Sequence, residues 1–153
     1  MCLDLETGKL LWSAKAAFAA HDCQWSGPSV GTFVDRQGKS QTHVMFPGSD
    51  GWLYSFDPQG DGLGNARLLW KFDCNPKDAK FELGGRGRRN LHVSLPVIHN
   101  GLVYVATGRN PEPGEGNADL WCVDPKRRTH GADISEFIVN DADGNLLPVS
   151  VES

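Results

Sequence analysis

Residues 2–12 read Cys2-Leu3-Asp4-Leu5-Glu6-Thr7-Gly8-Lys9-Leu10-Leu11-Trp12, and the chain returns to this phrase twice. Residues 52–70 carry Ser55-Phe56-Asp57 and close on Leu68-Leu69-Trp70, and residues 120–125 open it again as Leu120-Trp121-Cys122-Val123-Asp124-Pro125. Each copy reads as a strand followed by an Asp-headed turn, and the first two add a second strand ending in Leu-Leu-Trp. Asp carboxylates at turn starts accept downstream backbone amides, and a following glycine supplies the left-handed residue that releases the next strand. Self-similarity at this scale predicts a repeat architecture in which each unit buries its faces against its neighbours.

The middle unit is the most complete. Ser29–Val34, Thr42–Phe46, Trp52–Phe56 and Arg67–Phe72 read as four strands separated by Asp35-Arg36-Gln37-Gly38-Lys39, by Gly48-Ser49-Asp50-Gly51 and by the stretch after Asp57. They are short, rich in β-branched and aromatic residues, and bounded by Gly, Asp and Pro. Trp52-Leu53-Tyr54-Ser55-Phe56 is apolar on both faces, which predicts a sheet covered on both sides. A further unit begins at Ser94–Ile98, turns at His99-Asn100-Gly101, and continues through Leu102–Ala106 and Asp119–Val123. The tail, Phe137–Val139 and Leu146–Val151, reads as another hairpin. The turn aspartates Asp4, Asp57 and Asp124 are 53 and 67 residues apart. Both spacings exceed the ~40–45 residues of a compact blade, so long connections are expected between strands.

The expected fold is therefore all-β, a partial β-propeller of four-stranded antiparallel blades. Its divisions are the end of one blade over 1–20, a complete blade over 26–75 and a further blade with an irregular C-terminal hairpin over 91–153. The phrase around Asp4, Gly8 and Trp12 resembles the tryptophan-docking repeat of the PQQ-like β-propellers, with Cys2 where alanine is usual. That family includes quinoprotein alcohol dehydrogenases and a propeller lipoprotein of bacterial outer-membrane protein assembly. Residues 70–90 and 110–126 are similar to bacterial exported PQQ-like repeat proteins. The middle unit departs by stretching its turn through Pro58–Asn65, and the last unit lacks the closing Gly-x-x-x-Trp. The resemblance implies a structural role for Asp4, Gly8, Trp12, Asp57, Trp70 and Asp124, and an exported or periplasmic location. No basic-then-apolar leader precedes the phrase, and the first unit lacks its opening strands, so the expectation is of a piece of a longer protein.

Composition bounds the partners. The 153 residues hold 18 glycines, 9 prolines and 39% hydrophobic side chains, in keeping with a turn-rich globular β protein. A net charge of −4 argues against a nucleic-acid partner. No apolar run approaches the ~18 residues of a transmembrane helix.

Sites of chemistry are sparse. The family's quinone chemistry places PQQ over Ca²⁺ beside a carboxylate base, and nothing in this chain maps onto those ligands. The most basic stretch is Gly84-Gly85-Arg86-Gly87-Arg88-Arg89-Asn90. Arginines among glycines suit an anion, or simply line a solvated connection. The loop Asn110–Asp119, with Glu112 and Glu115, offers hard oxygens for Ca²⁺, as do Asp57, Asp61 and Asn65 and the tail's Asp141, Asp143 and Asn145, but none has EF-hand spacing. His21, His43, His92, His99 and His130 form no HxH or HExxH pair. Cys2 and Cys122 share the small slot two residues before the turn aspartate and read as small buried side chains, while Cys23 and Cys74 could pair. The leading expectation is a non-catalytic scaffold or interaction module that binds protein or a small ligand at its loops, Arg86, Arg88, Arg89, Glu112 and Glu115 being the candidates. The alternative is a fragment of a PQQ-dependent dehydrogenase oxidising an alcohol or sugar.

Overall fold

The computed structural model describes residues 1–14, 24–35, 37–82, 87–109, 117–126 and 133–135, with the backbone of 137–140 and 146–149. These are all β, without a helix among the described residues, and every strand pair within the sheets is antiparallel. Strands β1 (Cys2–Leu3) and β2 (Leu10–Trp12) form a first hairpin. Strands β3 (Ser29–Val34), β4 (Ser40–Pro47), β5 (Trp52–Asp57) and β6 (Arg67–Asp73) form a four-stranded meander, the middle sheet. A second sheet is built on β9 (Leu102–Gly108), with β10 (Asp119–Val123) on one side and β7 (Leu91–His92) and β8 (Val97–His99) on the other. Strands β11 (Phe137–Asn140) and β12 (Leu146–Val149) pair as a tail hairpin.

Of the expected strand over Ser94–Ile98 only Val97 and Ile98 join the ladder, as the start of β8; β7 lies upstream, with residues 93–96 between the two. Proline has no N–H for the ladder, and here Ser94 Oγ takes the Ala106 N–H at 3.3 Å in place of a main-chain carbonyl. The turn between β8 and β9 has positive φ at Asn100 (50°) and Gly101 (76°), as a two-residue hairpin with this twist requires.

The repeated phrase has one geometry. In the first hairpin Cys2 pairs with Trp12 and Leu3 with Leu10, the register shifting so that Leu11 is extra. In the middle sheet Ser55 pairs with Trp70 and Phe56 with Leu68, leaving Leu69 extra at the same place. A bulge of this kind bends and twists the strand. Both copies bulge on the second leucine of Leu-Leu-Trp.

The units pack face to face. Trp12 leans from the first hairpin onto Phe56 of β5, ring centroids 6.1 Å apart, and donates its indole N–H to the Pro58 carbonyl at 2.8 Å. Gly60 sits under that indole at φ +68°, where a Cβ would lie 2.7 Å from Trp12 Cδ1. On its other face the middle sheet meets the second sheet in one core: Phe33, Met45, Leu53, Trp70 and Phe72 against Val103, Val105 and Val123. Ile98 fits into the space left by Gly31, and Phe72 meets Trp121 edge-on at 5.5 Å. We call the face of each unit that points to the next one in sequence its forward face, and the opposite one its backward face.

The expectation that Cys2 and Cys122 are buried fails. Cys122 is exposed and Cys2 half-buried, although Ser55 in the same slot is fully buried. Burial at that slot comes from the following unit, and no described residue covers Cys122. Cys74 is a free thiol in the core, and Cys23, with which the sequence allowed it to pair, lies outside the described residues.

Candidate functional site

The two ends of the stacked sheets differ. One end carries short turns in which aspartates accept backbone amides. Asp4 Oδ1 takes Thr7 N at 2.8 Å, Asp57 Oδ1 takes Gln59 N at 2.9 Å, and Asp124 Oδ1 takes Lys126 N at 2.9 Å. Asp61 is committed in the same way, to Leu63 N and to Asn65 through its amide N–H and side chain. The hydroxyl and amide of Thr7 hold the Asp4 carboxyl below its usual range, and Asn65 does the same for Asp61. A cleft of about 270 Å³ lies at this end between Phe33, Gln41 and His43 of the middle sheet and Pro125 and Lys126 beyond β10. An indole N–H only donates, so the 3.1 Å contact from Trp70 Nε1 makes His43 Nδ1 an acceptor and places the proton of neutral His43 on Nε2.

The other end gathers the long connections. Gly48–Gly51 turns there, residues 74–82 and 87–90 lie against it, and β9 ends and β10 begins at it. These roots are tied together. Asn75 donates through Nδ2 to the carbonyls of Asn90 (3.1 Å) and Gly51 (3.4 Å) and accepts Asn90 N at 2.6 Å. Asn90 Nδ2 reaches Asp119 Oδ2 at 3.1 Å. Gly51, at φ +80°, permits this approach, for a Cβ there would lie 2.4 Å from Asn75 Nδ2 and 2.5 Å from the Asn90 oxygen.

At the centre lies a buried ion cluster. Arg89 donates to Asp73 Oδ1 at 2.6 Å and, through Nε, to the Asp50 carbonyl at 2.5 Å. Lys77 bridges Asp73 (3.6 Å) and Asp133 (3.4 Å). Lys71, Lys77 and Arg89 all stand within 6 Å of the Trp52 ring, at 4.2, 4.7 and 5.9 Å. Burial raises the Asp73 carboxyl above its usual range even against Arg89 and Lys77. Burial, then a hydrogen bond to Asp50, pushes the Tyr54 phenol up. Asp133 is pushed up by burial too, but its bonds from Ser135 and the charge of Lys77 outweigh that and leave it lowered. Beside the cluster His92 is buried with both ring nitrogens unpartnered, the carbonyls of Trp52, Ala106 and Gly51 standing near without hydrogen-bond geometry. Burial lowers its pKa to about 4. Cross-strand from it, the Thr107 hydroxyl is also unpartnered.

This arrangement holds position rather than moving protons. Both Asp73 oxygens are engaged by cations, and the one thiol alongside, Cys74, is fully buried with its ionisation pushed well up, hence inert. No group of three His, Cys, Asp or Glu with metal-binding placement occurs among the described residues. Of the sequence candidates, Arg89 is committed inward, and Arg88 lies exposed with an ion pair to Asp78 at 2.6 Å. Arg86, Glu112 and Glu115 lie outside the described residues, as do His21, Cys23, His130, Asp141, Asp143 and Asn145. The roots of both candidate loops nevertheless meet at one end, through Asn90 and Asp119. The cluster around Asp73 went unnoticed in the sequence. Its one signal was a carboxylate following Leu-Trp-Lys-Phe in a buried strand with lysine four residues on. No helix among the described residues is long and apolar enough to cross a membrane. Compared with known protein families, characterised proteins and solved structures, the chain matches none.

Proposed function

We propose that this chain is a segment of a PQQ-like β-propeller, part of a longer exported bacterial protein, that serves as a non-catalytic scaffold and binds a partner at the end carrying its long connections. The observation that supports it best is the shared register of the two complete phrases, bulged at the same leucine, with Trp12 seated on the turn of the following unit. Successive sheets stacked forward face to backward face are what a radial array of blades requires. The residues 1–20, 26–75 and 91–153 divide accordingly into the end of one blade, a complete blade and a further one. The ion cluster then acts as a clamp, fixing loop roots so that exposed loop residues such as Arg88 can meet a partner. Function concentrates on loops held by a rigid scaffold.

The test is affinity capture from bacterial envelope extract, comparing the chain with a variant carrying Arg86→Ser and Arg88→Ser. Arg89 is spared because it supports the fold. The expected result is a partner retained by the chain and lost from the variant. The same partner on both would overturn the loop-end assignment.

A further inference from the structure

We propose that the cleft at the short-turn end, between the middle and second sheets, binds a small aliphatic amino acid in its zwitterionic form. Both walls belong to this chain, and they come from two sheets that already share a core. The first sign is a break in pattern. Gln41, His43 and Met45 alternate along β4 onto the forward face. Met45 lies wholly in the core, whereas His43 and Gln41 put polar groups where that core would otherwise continue. Polar residues on a core-facing row point to function. Trp70 anchors His43 through Nδ1. Gln41, half-buried and cross-strand from Phe33, makes no side-chain hydrogen bond to a described residue.

The lining selects the ligand. Asp35 brings a carboxylate from the middle sheet and Lys126 an ammonium from beyond β10. Neither forms an ion pair with a described residue. Each stands on a short turn held by an aspartate. Asp35 Oδ1 takes Gln37 N at 2.9 Å and Lys39 N at 2.8 Å, and Asp124 Oδ1 takes the Lys126 amide. A simple anion would meet its own charge at Asp35, and a simple cation at Lys126. A molecule carrying both charges satisfies both, its carboxylate on Lys126 and its ammonium on Asp35. The Gln41 amide adds a hydrogen bond, and Phe33, Val34 and Pro125 receive an apolar side chain. The volume of about 270 Å³ falls under the ~300–1,000 Å³ of drug-sized sites, which limits the ligand to amino-acid size. This site goes beyond the proposed function and is independent of it, since it lies at the opposite end from Arg88.

Isothermal titration of the chain with free leucine tests it, against N-acetyl-leucine, which lacks the ammonium, and leucinamide, which lacks the carboxylate. Leucine is expected to bind saturably at one site, and each derivative at least about tenfold more weakly, as the loss of a charge-assisted hydrogen bond implies. Lys126→Gln should weaken leucine by a similar factor and remove its advantage over leucinamide. Asp35→Asn, which keeps an oxygen for the turn amides, should remove its advantage over N-acetyl-leucine. Absence of saturable leucine binding would overturn the proposal. So would either derivative binding as tightly as leucine, which would mean a site for a lone anion or cation. The ligand series needs no substitution, so it decides the matter even if a variant misfolds. Arg86→Ser with Arg88→Ser should leave leucine binding unchanged, and its loss there would move the site to the loop end and sink the idea.

Discussion

Trp12 shows how one side chain joins two units. Its ring covers Phe56 and Gly60, and its N–H satisfies the Pro58 carbonyl. Trp12→Ala should cost about 3–5 kcal/mol, the usual loss for a large buried aromatic, and urea unfolding measures it. Two glycines of the turn it covers supply a finer comparison. Gly60 and Gly62 both have positive φ, but only at Gly60 would a Cβ meet anything, namely Trp12 and the Asn65 carbonyl. Gly62→Ala should therefore cost about 1–2 kcal/mol for the left-handed backbone alone. Gly60→Ala should add about 1–3 kcal/mol of overpacking, and equal losses would show that Trp12 does not press on this turn. At this scale much was legible. Asp, Gly and Trp at fixed spacing announce a turn, a left-handed residue and a large apolar anchor. Cys122 was misread because burial of its slot depends on what packs over that face of the sheet, which no local pattern encodes.

Between elements, the two described arginines of one glycine-rich stretch have opposite roles. Arg89 neutralises a carboxylate that is almost wholly buried, whereas Arg88 and Asp78 are both well exposed. Removing one partner of a buried pair leaves an uncompensated charge, worth about 3–5 kcal/mol. An exposed pair contributes about 0–1 kcal/mol. Arg89→Ala should thus destabilise the chain severely and Arg88→Ala scarcely at all, as thermal unfolding of the two variants will report. Replacing Asp73 by Asn alongside Arg89→Ala should recover part of the loss. The sequence could not separate these neighbours. Which arginine turns inward depends on Asp73 lying across the sheet end, sixteen residues away. Strand existence was plain from alternation and turn residues, but the gap between β7 and β8 turns on how Ser94 pairs with β9.

Over the whole molecule, pH is the most direct probe of the buried polar groups. Unfolded His92 takes up a proton near pH 6.5, whereas the folded residue does so only near pH 4. Between those values the unfolded chain binds more protons, so stability falls as pH drops, by about 3 kcal/mol in all. Asp73 works the other way, its raised pKa favouring the folded state on acidification, but only near the carboxylate range. His92→Leu should therefore flatten the loss between pH 6.5 and 5 in denaturant titrations, and an unchanged acid limb would show that His92 is not its source. Neither group was identifiable as buried without knowing how the sheets stack. One connection bears on how the stack comes apart. After β10 the chain returns to the outer edge of the middle sheet, where Asp133 makes a parallel bridge to Lys71, Ile134 N donates to the Lys71 carbonyl, and the Ile134 side chain enters the core. A linear repeat array can unravel from its end, one unit at a time. Here residues 133–134, which follow the second sheet in sequence, fasten the middle one, so the second sheet cannot peel away without opening the middle one. Melting should accordingly be a single concerted event, and Ile134→Ala should split it into two.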